Sequence, residues 1–155
     1  MPQLGEVLRL LPDSRKGSAR NWAAYTMLWL PLAANGASVK ASTSTQDSSD
    51  FIAMRIKAYV TDTATPPVEN TTPQATLLLQ IGEASMMPDG NAVHLQNFAI
   101  SAADRRGHDL EFPIYIQRNT TLVGLASNLT ATAMNIRLTI YGLRVFDYDK
   151  ADRSL

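Results

Sequence analysis

His94 and His108 are the only two imidazoles in this 155-residue chain, and it contains no cysteine. His108 sits in ADRRGHD, between Asp104 and Asp109. There a carboxylate can orient an imidazole as a general base, or share a divalent metal with it. His94 sits in AVHLQ, a segment that reads as strand. A lone loop histidine beside acids is far more often solvated surface than a catalytic group, and nothing near His108 lifts it above that. Serine and threonine hydroxyls are plentiful, but no G-x-S-x-G elbow or supported S-x-x-K sequence activates one. Neither glycine-rich phosphate loop is present. Asp50, Asp62, Glu69, Glu83, Asp104, Asp109 and Glu111 fall at strand ends and in loops, not as the facing pair that glycoside hydrolysis needs. Asp147, Asp149 and Asp152 are spaced like calcium ligands, yet lack the glycine turn and the distant glutamate. Asn70, Asn119 and Asn128 each begin an Asn-x-Ser/Thr triplet, which the abundance of Asn and Thr explains without glycosylation. The expectation is a protein that is not an enzyme, with no catalytic residue, no cofactor and no metal site.

Charge points the same way. Lys plus Arg equals Asp plus Glu at 14 each, so no global field would gather nucleic acid or an anionic membrane. The local basic clusters are Arg105-Arg106 and the N-terminal Arg9, Arg15, Lys16 and Arg20. They lack interleaved aromatics and fit the polar rim of a protein interface better than a nucleic-acid site. The longest apolar run, Met27 to Leu32, is broken by Pro31 and falls far short of the roughly 20 residues of a membrane span. No secretory leader is visible at the start, so synthesis in a cytoplasm without export is expected.

The elements that would carry any site are strands. LEFPIYIQ, TLVGLASNL and MNIRLTIYGLRVF alternate apolar and polar residues, the period of a sheet with one wet and one dry face. FIAMRIKAYVTD does the same, with Ile52, Met54, Ile56, Ala58 and Val60 expected on one side and Arg55 and Lys57 on the other. NWAAYTMLWL begins the β pattern, Asn35-Gly36 marks a turn, and ASVKAST reads as a polar edge strand. ATLLLQIGEA is a further strand, and TATPPVENTTPQ (63–74), with three prolines, reads as an exposed loop. About eight strands with turns between them, and no helical period inside the domain, predict an all-β antiparallel sandwich. Its expected core includes Ile52, Met54, Ile56, Leu77, Leu79, Ile81, Phe112, Ile114, Ile116, Leu138 and Ile140.

Residues 1–22 differ. Leu4, Val7, Leu8 and Leu11 recur at i, i+3, i+4 and i+7, so a short helix closed by Pro12 would place them on one side. Eight or nine residues cannot hold a helix alone in water, and the stripe must dock on this domain or on a neighbour. The expected organisation is an arm (1–22), a sandwich (23–148) and a charged tail (149–155). The arm's Leu4, Val7, Leu8, Leu11, Arg15, Lys16, Arg20 and Trp22 are the expected partner-binding residues.

PLAANGASVKAST, followed by SSDFIAMRIKAYVTD and then the block from NFAISAADRR to LRVF, resembles the small jelly-roll-like structural proteins of tailed bacteriophages. The match runs from about Pro31 to Phe146. It is carried by Pro113, Thr121, Leu122, Asn128, Leu129, Thr130, Asn135 and Gly142. The resemblance implies a virion protein made in the host cytoplasm, a capsid cement or decoration subunit, often trimeric. Its partners would be the major capsid protein, other virion proteins and copies of itself. Neck, baseplate or fibre components are the alternative within that class. A carbohydrate-binding sandwich is the alternative outside it, with Trp22, Tyr25, Trp29, Tyr115 and Tyr148 as candidate platform residues.

Overall fold

The structure is a computed structural model that describes residues 9, 20–36, 38–82, 84–87, 90–100 and 107–146, with the side chains of Arg20, Glu111 and Phe112 left aside. Nine strands follow in order: β1 (Arg20–Leu32), β2 (Val39–Ser44), β3 (Ser49–Asp62), β4 (Ala75–Ile81), β5 (Ala84–Ser85), β6 (Val93–His94), β7 (His108–Ile116), β8 (Thr121–Asn128) and β9 (Met134–Phe146). They build two antiparallel sheets, β1-β9-β3-β7 and β2-β8-β4-β5, with β6 also on β4. The all-β sandwich expected from the alternation is what the chain forms. The polar segment ASVKAST is indeed an edge strand, β2, and the 63–74 segment is the connection from β3 to β4.

One boundary moves. β1 begins at Arg20, where Arg20, Asn21 and Trp22 pair with Val145, Arg144 and Leu143. These three belong to the sheet, not to an arm ending at residue 22, because β9 pairs with the backbone groups on their inner side. Leu4, Val7, Leu8, Leu11, Arg15 and Lys16 lie outside the described residues, as does the tail 149–155.

The core sits between the sheets. Tyr25, Met27 and Trp29 of β1 face Leu77 and Leu79 of β4 and Leu122 of β8, with Ile136, Leu138 and Ile140 of β9 and Ile116 of β7 around them, all 6 % exposed or less. Each such aliphatic side chain contributes on the order of 2 kcal/mol by leaving water. Leu95 and Phe98, on and just after the 3-10 turn Leu95–Asn97, close one side of this core. Ile81 and Ile114 are only partly buried against it.

β3 corrects the expected face assignment. Along β9 the register runs Ala53 to Gly142 and then Arg55 to Tyr141, so Met54 has no partner. That extra residue is a β-bulge, and it switches which side chains face inward. Phe51 and Ala53 before it, and Ile56, Ala58 and Val60 after it, join the main core. Ile52 and Met54 are buried on the opposite face with Leu143 and Val145. Strict alternation from 52 to 60 conceals this, because both parities are apolar around the bulge.

The turns are tied by side chains. Asn128, 1 % exposed, accepts from the backbone N–H (2.9 Å) and hydroxyl (2.8 Å) of Thr130, and donates to the carbonyls of Thr132 (2.8 Å) and Leu32 (3.5 Å). It therefore holds the β8–β9 turn shut and fastens it to the end of β1. The Asn-x-Thr triplet here is a turn device. Asn128→Ala leaves several buried polar groups without partners, each costing about 1–3 kcal/mol. A loss of about 2–4 kcal/mol in urea unfolding is expected, with the m-value unchanged. Thr45 does similar work at the β7–β8 turn, donating to Gln117 O (2.9 Å) and accepting from Thr120 N (2.9 Å).

Candidate functional site: the outward face of the four-stranded sheet

The residues first suspected of chemistry are not brought together. His94 is exposed on β6 in one sheet, and His108 is exposed at the start of β7 in the other. His108 meets the ring of Phe98 edge-on, with centroids 5.4 Å apart. Asp109 is occupied by Arg55, whose Nε donates to Oδ1 at 2.5 Å. Asp104 and Asp147, Asp149 and Asp152 lie outside the described residues. Among the described residues no three His, Asp or Glu side chains converge as metal ligands would. Asp50 is held by the Tyr115 hydroxyl and by the Arg118 N–H at 2.9 Å, which makes it a clamp on the β7–β8 turn.

The aromatic residues proposed as a sugar platform are also separated. Tyr25 and Trp29 are buried at 6 % and 3 % exposure, and the Tyr25 ring meets Phe51 edge-on at 4.8 Å. Trp22 is 66 % exposed. Tyr148 lies outside the described residues. A strand that alternates inward and outward cannot present Trp22, Tyr25 and Trp29 on one surface.

What the fold does expose is the outward side of β1. Trp22, Leu28 and Leu30 are 66 %, 47 % and 61 % exposed, with Ala24 and Thr26 between them. β1 is an edge strand of 13 residues with no charged side chain after Arg20. Edge strands carry free backbone donors and acceptors along one side, and are ordinarily short, charged, kinked or covered. β1 is broken only near its end, where the register shifts between Trp29 and Leu32 around Pro31. Its outward face continues into a groove of about 210 Å³ lined by Leu30, Tyr59, Pro67, Asn135, Ile136 and Arg137. Val68, next to Pro67, is 61 % exposed.

The floor of this face is polar and paired. Lys57 lies 5.0 Å from the Tyr141 ring centroid, a cation–π contact. The Tyr59 hydroxyl donates to Glu69 at 3.0 Å, which raises its pKa because ionisation would break that bond. The Arg55 hydrogen bond holds the Asp109 carboxyl below its ordinary value. A depressed carboxylate adds stability above the unfolded pKa of about 4 and loses it as the pH falls through the lower folded value. At neutral pH the Arg55–Asp109 pair is fully ionised and carries no switch. The loop 63–74 is pinned beside it, since Asp62 Oδ1 accepts from Ala64 N (3.1 Å) and Val68 N (2.8 Å).

Sequence reasoning missed Leu28 and Leu30 as surface residues, while Pro67 falls in the 63–74 loop expected to be exposed. The signal was present in NWAAYTMLWL, which is apolar on both parities. A two-faced apolar strand suits a fully covered position, whereas β1 is an edge with one face open.

The residues that carried the bacteriophage resemblance have structural positions. Leu122 is in the core, Asn128 and Thr130 form the turn just described, Asn135 Nδ2 donates to Asp62 O at 3.1 Å, and Gly142 lies under Phe51. No family model matches this chain, and no curated protein or solved structure matches it either.

Proposed function

We propose that this protein is a non-enzymatic structural subunit of a tailed-bacteriophage particle. It is made in the host cytoplasm and acts in the virion as an oligomeric, trimeric, cement or decoration protein. Its partners are the major capsid protein and copies of itself. The observation that carries the reading is the outward side of β1: 13 residues of edge strand, uncharged from Asn21 to Leu32, with Trp22, Leu28 and Leu30 open to solvent. A free subunit gains nothing from that exposure, while a partner strand or a flat apolar surface covers it.

The order of pairing supports a jelly-roll reading of the sandwich. β1 pairs with β9, β2 with β8, β3 with β7 and β4 with β5, the pattern of one long antiparallel ribbon folded at its middle. Curling that ribbon also places β9 beside β3 and β8 beside β4. Two Greek keys in this arrangement are a common architecture of viral capsid domains, which fits the resemblance on which the virion role rests.

Sedimentation of the full chain tests the proposal. A species of about three times the 16.9 kDa subunit mass is expected. The double variant Leu28→Lys, Leu30→Lys replaces two exposed side chains, so the fold is kept and the oligomer falls to monomer. It also fails to occupy purified heads that the unaltered protein decorates. A wild-type protein that stays monomeric and leaves heads bare sinks the reading.

A further inference from the structure

The groove beside β1 is sized for one side chain. Its volume is about 210 Å³, below the roughly 300–1,000 Å³ of sites that enclose a small-molecule ligand. An apolar cavity of about 150 Å³ already holds a benzene-sized ring. The space therefore takes a leucine or phenylalanine side chain and is too small for a cofactor. Arg137 of β9 is the cross-strand neighbour of Leu28 on β1 and of Tyr59 on β3, and Asn135 is the neighbour of Thr61. Leu30 on β1 and Pro67 in the β3–β4 connection complete the lining.

We propose that this groove docks an extended segment of a partner protein in which a large apolar residue lies beside an acidic one. The apolar side chain fills the space among Leu30, Tyr59 and Pro67, and the carboxylate pairs with Arg137. Charge complementarity selects that occupant. Among the described residues that line the groove, Arg137 alone carries a charge. It is exposed, and no carboxylate among the described residues forms a salt bridge with it. Arg55 and Lys57 instead contact Asp109 and the Tyr141 ring. A carboxylate that reaches Arg137 is drawn partly out of water by Leu28, Leu30 and Tyr59, and a charge-assisted hydrogen bond strengthens there.

The groove is ordered before anything enters it. Asp62 N donates to Val68 O and Asn70 N donates to Val60 O, both at 2.9 Å, so the loop is laced back to the end of β3. Asn135 Nδ2 donates to Asp62 O at 3.1 Å and joins that lacing to β9. The Asp62 carboxylate holds Ala64 N and Val68 N, and the Tyr59 hydroxyl holds Glu69. These bonds bracket Pro67 from both sides. A wall already fixed in place loses little conformational freedom when a partner docks, so more of the contact energy appears as affinity.

Leu28 and Val68, 47 % and 61 % exposed, then form an apolar rim around the inserted side chain. An anchor in a pocket, ringed by contacts that exclude water, is how interfaces concentrate their binding energy. A saccharide fits less well, because the Tyr59 hydroxyl and the Asn135 amide already donate within the protein. The inference rests on the reading of this face as an assembly surface, and it names the chemistry that the partner segment brings.

A displayed library of random short peptides, selected on the full chain and counter-selected on Leu30→Asp, tests it. Retained sequences are expected to share a leucine, isoleucine or phenylalanine one or two positions from an aspartate or glutamate. The best of them, made as a synthetic peptide, should bind Arg137→Gln about tenfold or more weakly. Replacing the peptide's own acid by its amide should cost the same factor, and the two changes together no more than either alone, as one broken pair requires. Arg137 is exposed, so Arg137→Gln keeps the β-sheet circular dichroism signal. On binding, amide resonances of Leu30, Tyr59 and Arg137 should shift while those of β8 do not. No selected binder, binders without an acid, losses that add, or shifts centred elsewhere overturn the proposal. So does a glycan array on which uronate-bearing sugars bind in place of any peptide. Sedimentation and head binding do not enter these measurements, so the peptide result stands if the virion reading fails, and that reading stands if the selection fails.

Discussion

Gly142→Ala is expected to be among the most damaging single methyl additions in this chain. A Cβ at position 142 would run into the carbonyl of Ile52, with Ile52 C at 2.8 Å and Phe51 Cε2 at 2.9 Å. Backbone cannot step aside here, because β9 is paired on both edges, with Ala23 on β1 and Ala53 on β3 opposite Gly142. The three small residues in a row mark where the β3 bulge at Met54 draws the strands together. Relief would require the Phe51 ring to leave its edge contact with Tyr25, and Phe51 is fully buried. Overpacking of a site with no slack costs about 3–5 kcal/mol, at the upper end for a single substitution. For a domain of this size that lowers the melting temperature on the order of 10 °C. Differential scanning calorimetry of the variant checks it. A loss below about 1 kcal/mol would mean that β9 and β3 separate here more readily than their pairing implies.

The same row shows what could be read from the sequence and what could not. Strand existence was legible, because half-buried strands write a period of two, and β3, β4, β8 and β9 all do so. The inward set on β9 (Met134, Ile136, Leu138 and Ile140) follows directly from MNIRLTI. The bulge at Met54 was not legible. FIAM is apolar at every position, so either parity satisfies the pattern, and only pairing with β9 decides it. Ile52 was rightly expected to be buried but assigned to the wrong layer.

Leu95 and Phe98 were missed for another reason. They lie on a 3-10 turn and its end, not on a long strand, and a period of two gives no hint of them. Sheet membership of β2 was likewise out of reach. Asn35-Gly36 suggests a hairpin, yet β1 and β2 lie in opposite sheets, and Asn35 N donates to Thr130 O at 2.8 Å across the sandwich. Turn residues fix local reversal, while the sheet that receives the next strand depends on which partner covers its apolar face.

The candidate surface was half legible. Its apolar residues stand in the sequence, but exposure is a property of edge position, which belongs to topology. β1 is an edge because β9 takes its inner side and nothing described takes its outer side. The arm was picked out by its leucine spacing alone, and its stripe lies outside the described residues.

Trp29→Ala tests how the sandwich is closed beside that surface. Trp29 is 3 % exposed, and its indole N–H donates to Val39 O at 2.8 Å. The bond runs from the edge of one sheet to the edge of the other, since β1 and β2 end their respective sheets on the same side. The ring fits because position 124 of β8 is glycine; a Cβ there would lie 2.7 Å from Trp29 Cη2. Truncating Trp29 removes the ring, opens a cavity against Gly124 and frees the Val39 carbonyl. A loss of about 3–5 kcal/mol is expected for Trp29→Ala. Trp29→Phe keeps most of the ring and forfeits the hydrogen bond, for about 1–2 kcal/mol. Urea unfolding of both variants in the wild-type background, followed by circular dichroism, separates packing from hydrogen bonding. A Trp22→Phe variant gives the unaltered Trp29 as a lone reporter, whose buried indole should emit to the blue and shift red on unfolding. Equal losses for the two variants would assign the closure to the indole N–H, and a Trp29→Ala variant as stable as wild type would mean that β1 and β2 hold together without it.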